Sequence, residues 1–585
     1  MYYPVMASLI YKTKKGNEYA YWVRSARVNG KPRIVEQIYL GPKDRFLEEV
    51  KARYQKGDDA APALKRVQSK EFGASAVLWR RAEELGLAEI VDRHVPRPPK
   101  GRRTQLSVGQ YLVLAAINRA IDPQSKRSFY EGWYKDSVVS RLCRARASEL
   151  TSPRFWDHMD QVEVEHIERI QHDVLAALAE RFELGEDTIL YDATNFFTFI
   201  DTFNERTKLA QRGANKQKRT DLRQLSFALF EDERTSLPLY HQCYAGNENE
   251  VSHLPFAWEG LLQGWMEAMG REAEQLTLVF DRGGTSKDNL RALEAKAMHY
   301  VAGVPTTWLP DLLEVERSEY HKLELAGTKH VKVYRNRREL WGSERTLLVV
   351  FSPTFYRKQR ATLNREQEKA DERLAELARA IGAWRESRRG KGHAEASVRR
   401  KIRRWTGREH LREFLDVELE VKDGKAVELT WRWDRTKKRA VQRRYLGKQI
   451  LVTDRHDWDD VTVVSAYRRL MRTESLFRIS KSRPGVWWPM FHWTDSKIRV
   501  HSLYCFFALL LLAVLRLELR EAGLRIHIDR AIRRLRALDE TLVVYADGGA
   551  DRVLTDMDPT QRELADALDL AELASALGTT VLADA

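Results

Sequence analysis

The stretch that most constrains this chain runs from Asp457 to Lys481: Asp-Trp-Asp-Asp-Val-Thr-Val-Val-Ser-Ala-Tyr-Arg-Arg-Leu-Met-Arg-Thr-Glu-Ser-Leu-Phe-Arg-Ile-Ser-Lys. It opens with acids suited to a helix N-terminus, holds no Gly or Pro, and is stopped by Pro484-Gly485, which predicts a helix of several turns. Tyr467, Glu474 and Lys481 are spaced seven and seven, and seven residues is nearly two whole turns. All three therefore share one face, with Leu470 and Phe477 beside them. A carboxylate between an aromatic hydroxyl and an ammonium suits a site that holds a metal and a phosphate. A surface helix with scattered charges would explain the same residues without one.

Two distant stretches bear on that choice. Thr188-Ile-Leu-Tyr-Asp-Ala-Thr-Asn-Phe-Phe-Thr-Phe-Ile200 is rich in β-branched and aromatic residues and reads as a strand with Asp192 inside it. Leu276-Thr-Leu-Val-Phe-Asp-Arg-Gly-Gly284 reads as a second strand, with Asp281 at its carboxyl end before a Gly-Gly turn. An acid in a buried strand is costly unless something pairs with it, and a metal ion would be such a partner.

With these residues in place the chain resembles the DDE transposases of bacterial insertion sequences, in the branch whose third acid sits in a Tyr, Arg, Glu, Lys signature. Tyr467, Glu474 and Lys481 fall at signature positions, and Asp192 and Asp281 at the two aspartates. Gly213-Ala-Asn-Lys, Leu237-Pro and Ala245-Gly-Asn247 also resemble the family pattern, as does Trp487 to His501. The signature arginine position is Leu470; Arg469 or Arg472 could take its place only by reaching around the helix. If that contact matters, Leu470→Arg is expected to strengthen DNA-end binding or cleavage.

The resemblance implies an α/β fold, a ribonuclease H-like mixed sheet with flanking helices. It implies an enzyme that cleaves DNA at the ends of an insertion sequence and joins the ends to target DNA, with a hairpin as a common intermediate. Asp192, Asp281 and Glu474 would be both catalytic residues and ligands of two Mg²⁺ ions, for which Mn²⁺ could substitute. Tyr467 and Lys481 would hold the phosphate. The implied partner is double-stranded DNA, bound by a homodimer. Two other readings stay open: a DNA-binding protein that has lost catalysis, which Leu470 favours, and a nuclease without strand transfer.

Bulk properties agree with a polyanionic partner. Lys and Arg number 99 against 84 acids, a net charge of +15 over 585 residues, although solubility alone would also account for a basic balance. Cys143, Cys243 and Cys505 show no paired or metal-ligand spacing, which fits a reducing cytoplasm, and no export signal opens the chain. Leu503 to Leu515 is the longest apolar run and reads as a buried core helix.

In order, the expected segments are a small β module (1–50) with an Asn29-Gly30 hairpin and a helical DNA-binding domain (51–183). The first part of the catalytic core (184–305) follows, then an insertion (306–455), the rest of the core (456–520) and a helical appendage (521–585) with helices near 527–539 and 560–576 around a short strand. The loop after Asp192 carries Lys216, Lys218 and Arg219, either a clamp on a DNA strand or a solvated charge run. Within the insertion 331–352 and 417–453 read as strands and 358–415 as helix. Trp431 and Trp433 alternate on one strand, and could stack on a displaced base or serve as core.

Overall fold

The computed structural model describes residues 6–14, 17–28, 31–43, 64–185, 187–213, 215, 219–325, 330–387, 389–408, 410–481, 486–488, 490–545 and 549–581. For 471–481 the description covers the backbone only. The chain divides into two compact units, one from 1–70, 539–556 and 574–585, the other from 71–538 and 557–573.

The smaller unit holds two sheets. Strands β1 (Met6–Lys14), β2 (Asn17–Val28) and β3 (Lys31–Pro42) form an antiparallel meander. Val28 pairs with Lys31, which brackets the expected Asn29-Gly30 turn; the two turn residues lie outside the described residues. The second sheet sets β16 (Asp539–Tyr545) between β4 (Leu64–Glu71) and β17 (Ala550–Leu554). The segment expected as a helical appendage is therefore split between both units. Its β-branched Thr541-Leu-Val-Val-Tyr545 run lies on the short strand expected between the two helical stretches, but its partner β4 stands at the other end of the sequence.

The larger unit is built on a mixed sheet of nine strands flanked by helices, in the order β10-β11-β12-β15-β9-β8-β5-β6-β7. Strands β5 (Thr188–Thr198), β6 (Arg223–Asp232) and β7 (Pro238–Ala245) make an antiparallel meander. The helix Glu250–Met269 follows, then β8 (Thr277–Phe280), the helix Lys287–Ala295 and β9 (His299–Val304). β8 runs parallel to both β5 and β9. Beyond β9 the same sheet continues through β15 (Lys448–Thr453), β12 (Ser343–Phe351), β11 (Val331–Leu340) and β10 (His321–Leu323), all antiparallel.

The segment read as an insertion thus contributes four strands to the central sheet, and the rest of it folds on the side. The helix Pro353–Ser387 carries a hairpin of β13 (Leu415–Lys422) and β14 (Lys425–Trp433), with Leu374, Leu377, Ile381, Val398 and Leu429 as a small core. One expectation fails here: 417–453 is not all strand, because Arg435–Tyr445 is a helix. Asp434 starts it, its side chain accepting from the Thr436 and Lys437 N–H groups at 2.8 and 2.9 Å.

Two helices close over the sheet. Asp460–Lys481, the expected signature helix, lies against β5, β8 and β9. Its Val463, Val464 and Leu470 join Leu190, Val279 and Val301 of those strands in one apolar cluster. Asp495–Glu521 lies against β7. It is long and apolar enough to cross a membrane, yet 94% of its most apolar window is buried inside the protein, as the sequence reading of a core helix expects.

The chain between these two helices is fastened by Trp487. Its ring stacks on Phe196 of β5 at 4.3 Å and meets Phe227 of β6 edge-on at 5.2 Å, and only 1% of the residue is exposed. Trp487→Ala should lower stability by about 3–5 kcal/mol through the cavity it leaves, read as a fall in the denaturant midpoint of the larger unit.

Candidate active site

The parallel register of β5 and β8 ends on the pair Tyr191 and Phe280. The next residue on each chain is an acid, Asp192 and Asp281, so the two carboxylates leave adjacent backbones about 4.8 Å apart. Asp192 follows Leu190 by two residues and Asp281 follows Val279 by two. Strand alternation therefore turns both toward the face covered by the signature helix.

Local hydrogen bonds fix the two acids. Asp192 Oδ1 accepts the Ala193 N–H at 2.9 Å, and Asp281 Oδ1 accepts the Gly283 N–H at 2.5 Å. Glycine is needed after Asp281 for space: a Cβ on Gly283 would stand 2.6 Å from Glu250 Oε2 and 2.7 Å from Asp281 Oδ1. Asn289 then bolts this turn to the preceding helix, donating to Gly284 O and Val251 O, both at 2.8 Å.

Tyr467 reaches the same place from the helix. Burial, and then the nearby Asp281 and Asp192 carboxylates, push its hydroxyl up to about 12 against the opposing charge of Arg282. At ordinary pH it is a neutral donor. Its Oη fits over bare backbone, since a Cβ on Gly303 would lie 2.3 Å from it.

Asp192, Asp281 and Tyr467 open into one cleft of about 480 Å³. Its other walls were not foreseen. Arg468 enters beside Tyr467, and from the insertion come Ser352, Thr354 and Phe355, with Lys358 one turn further along their helix. Lys358 is exposed, and its ammonium makes no ion pair among the described residues. Nothing in the sequence around Lys358 marks it; only the joining of the insertion to the sheet brings it to the acids.

The other expected residues take different places. Leu470 lines the cleft but is buried to 6% exposure in the apolar cluster beneath it. Leu470→Arg would exchange those contacts for a guanidinium in the core, so the expected gain in end binding does not follow. Arg469 forms an ion pair with Glu233. Arg472, Glu474 and Lys481 are on the signature helix, with side chains outside the described set. Lys216 and Lys218 lie outside the described residues; Arg219 is held by both oxygens of Asp221 at 2.8 Å and lowers that carboxyl to about 2.

Trp431 and Trp433 belong to the insertion's own packing. Both indoles donate to Asp371 Oδ1 at 2.7 Å, and both half-buried rings flank its apolar clusters, which accords with the core reading of the pair. Among the described residues no three His, Cys, Asp or Glu side chains gather closely enough to hold a metal ion; the third expected acid, Glu474, is not in that set. Compared with known proteins, the chain matches no family model and no curated sequence.

The fit of Tyr467 over Gly303 is testable by itself. Gly303→Ala should cost about 1–3 kcal/mol by overpacking, and Tyr467→Phe in the same chain should restore much of it by removing the crowded oxygen. Thermal melts of the two single variants and the double variant give the coupling; simple additivity would contradict the placement.

Proposed function

We propose that the chain is a DDE-type DNA transposase with a ribonuclease H-like core, cutting at the ends of an insertion sequence and joining the 3′-hydroxyls to target DNA. The observation that carries the reading is the register of Asp192 and Asp281 on neighbouring parallel strands, opening together under the helix that bears Tyr467, Glu474 and Lys481. The strand order supports it. Three antiparallel strands followed by two parallel ones, β7-β6-β5-β8-β9, is the arrangement expected of such a core. So does the net charge of +15.

The donor set fits a hard divalent ion. Asp192 and Asp281 offer carboxylate oxygens at a shared cleft, and Glu474 stands two turns beyond Tyr467 on the helix over them. Mg²⁺ or Mn²⁺ bound there would supply Lewis-acid stabilisation of the phosphoryl charge and a lowered pKa for bound water. The chain's own groups do the rest. The Gly283 N–H fixes one oxygen of Asp281 and so sets the direction of the other. The neutral Tyr467 hydroxyl can donate to a phosphate oxygen. Lys358 and Arg468 both line the cleft and put positive charge there, where a phosphodiester would draw them in. Leu470 keeps the floor apolar.

In the overall reaction water first attacks a phosphodiester, breaking the bond to the 3′ oxygen, which leaves as a hydroxyl. That hydroxyl then attacks a second phosphodiester in the target and displaces its 3′ oxygen. A homodimer bound to two element ends and a cytoplasmic location complete the proposal. Three buried free thiols accord with a reducing compartment.

The test is direct. Asp192→Asn and Asp281→Asn should reduce Mg²⁺-dependent cleavage of element-end DNA to background on a sequencing gel. Affinity should stay within about twofold, because phosphate contacts dominate binding. A variant of either acid that still cuts would overturn the assignment.

A further inference from the structure

Where β5 leaves the sheet, two segments meet and expose aromatic rings. Phe199 and Phe203 follow β5 and are 78% and 90% exposed; Phe491 and Trp493 follow Trp487 and are 67% and 53% exposed. The segments are tied together at both ends. Phe199 contacts Trp488 at 5.6 Å with the rings at 57°, next to the buried stack of Phe196 on Trp487. At the far end Asp495 accepts from Thr207 Oγ1 at 2.7 Å and from the Lys208 and Leu209 N–H groups at 3.0 and 3.1 Å. Such rings are not left over from a packed core, since Phe196 and Trp487 already fill it.

Charge on the same loop selects among occupants. Arg206 and Lys208 are exposed, and their charged groups form no ion pair among the described residues. Arg212 donates to the Thr202 hydroxyl at 3.0 Å. Of the three acids in the loop, Asp201 is turned onto its own backbone, accepting the Phe203 N–H at 2.7 Å, Asp221 is held by Arg219, and Glu205 faces solvent. Flat apolar rings set among free cations suit a polyanion that carries π-faces. Rings of this kind cannot meet bases still stacked in a duplex, but they can stack on unpaired ones. Phe199 is seven residues beyond Asp192, directly after the end of the strand that carries it, at most about 23 Å at roughly 3.3 Å per residue and so about seven base steps.

We infer that this surface, centred on Phe203, Phe491 and Trp493 and flanked by Arg206 and Lys208, stacks the unpaired nucleotides of a DNA strand whose phosphate is held at the acids. The inference rests on the proposed DNA-processing function for its polymer and adds the form of the substrate, a duplex with a single-stranded portion on this side of the cut. Bases are held by ring contact and the intervening phosphates by the loop's cations, so sequence would matter little here.

The test uses the full chain in EDTA, so that binding is read without cleavage. Three labelled probes are compared by fluorescence anisotropy: a blunt duplex, the same duplex with an oligothymidine tail, and one with a tail of abasic sites. The parent should prefer the thymidine tail over both others. Phe203→Ala combined with Phe491→Ala removes two exposed rings, and a melt checks that the fold is kept. The double variant should lose about tenfold or more on the tailed probe, given the size of base stacking on an aromatic ring, and stay within about twofold on the blunt one.

Equal binding of all three probes by the parent would overturn the inference, as would variants that weaken blunt and tailed probes alike. So would a parent that sediments as a dimer without DNA and becomes a monomer in the double variant, because the patch would then be a contact between copies of this chain. A parent that discriminates the tail yet never cuts with Mg²⁺ would support the stacking surface while refuting the proposed reaction.

Discussion

Everything at the candidate site depends on one backbone ladder, the parallel pairing of β5 with β8. Parallel strands in register place equivalent residues side by side, so two acids that follow Tyr191 and Phe280 must emerge together. Two carboxylates brought this close repel each other unless a cation or a hydrogen-bond donor intervenes. The Gly283 N–H meets part of that demand for Asp281. The Gly-Gly turn, the start of the helix at Glu250 and the Asn289 side chain are all arranged to keep that donor where it is.

The sequence carried some of this and withheld the rest for reasons that can be named. Asp192 and Asp281 stood out because acids are rare among β-branched and aromatic neighbours, and the signature helix because it is long, uninterrupted and bounded by caps and a Pro-Gly stop. Those are local signals. Arg468 and Lys358 carry none: one is a cation among several on its helix, the other a lysine on a charged helix, and only tertiary pairing brings them to the cleft. The two tryptophans of β14 were legible as a same-side pair. Their shared acceptor, Asp371, lies 60 residues from the nearer one, and side-chain alternation says nothing about what waits on that side.

Long-range strand pairing was the other blind spot. Hydrophobic alternation finds strands but does not choose their neighbours. Thus β4 and β16 were read as parts of separate segments, although they lie side by side. The helix Arg435–Tyr445 was missed for a different reason. Its many Lys and Arg residues leave a narrow apolar stripe, Val441 being its only buried residue, so periodicity is faint and the Asp434 cap is the better signal.

The union of the insertion with the central sheet has a mechanical consequence. An inserted domain on two loose linkers could swing toward a substrate and away again. Here β15 is hydrogen-bonded along Ile450 to Thr453 to β9, and β12 is bonded to β15 in turn. Moving this block as a rigid body would break a continuous ladder of backbone bonds. The spacing between the acids and the wall bearing Lys358 is therefore set by the width of the sheet, as the jaw of a fixed gauge is set by its frame.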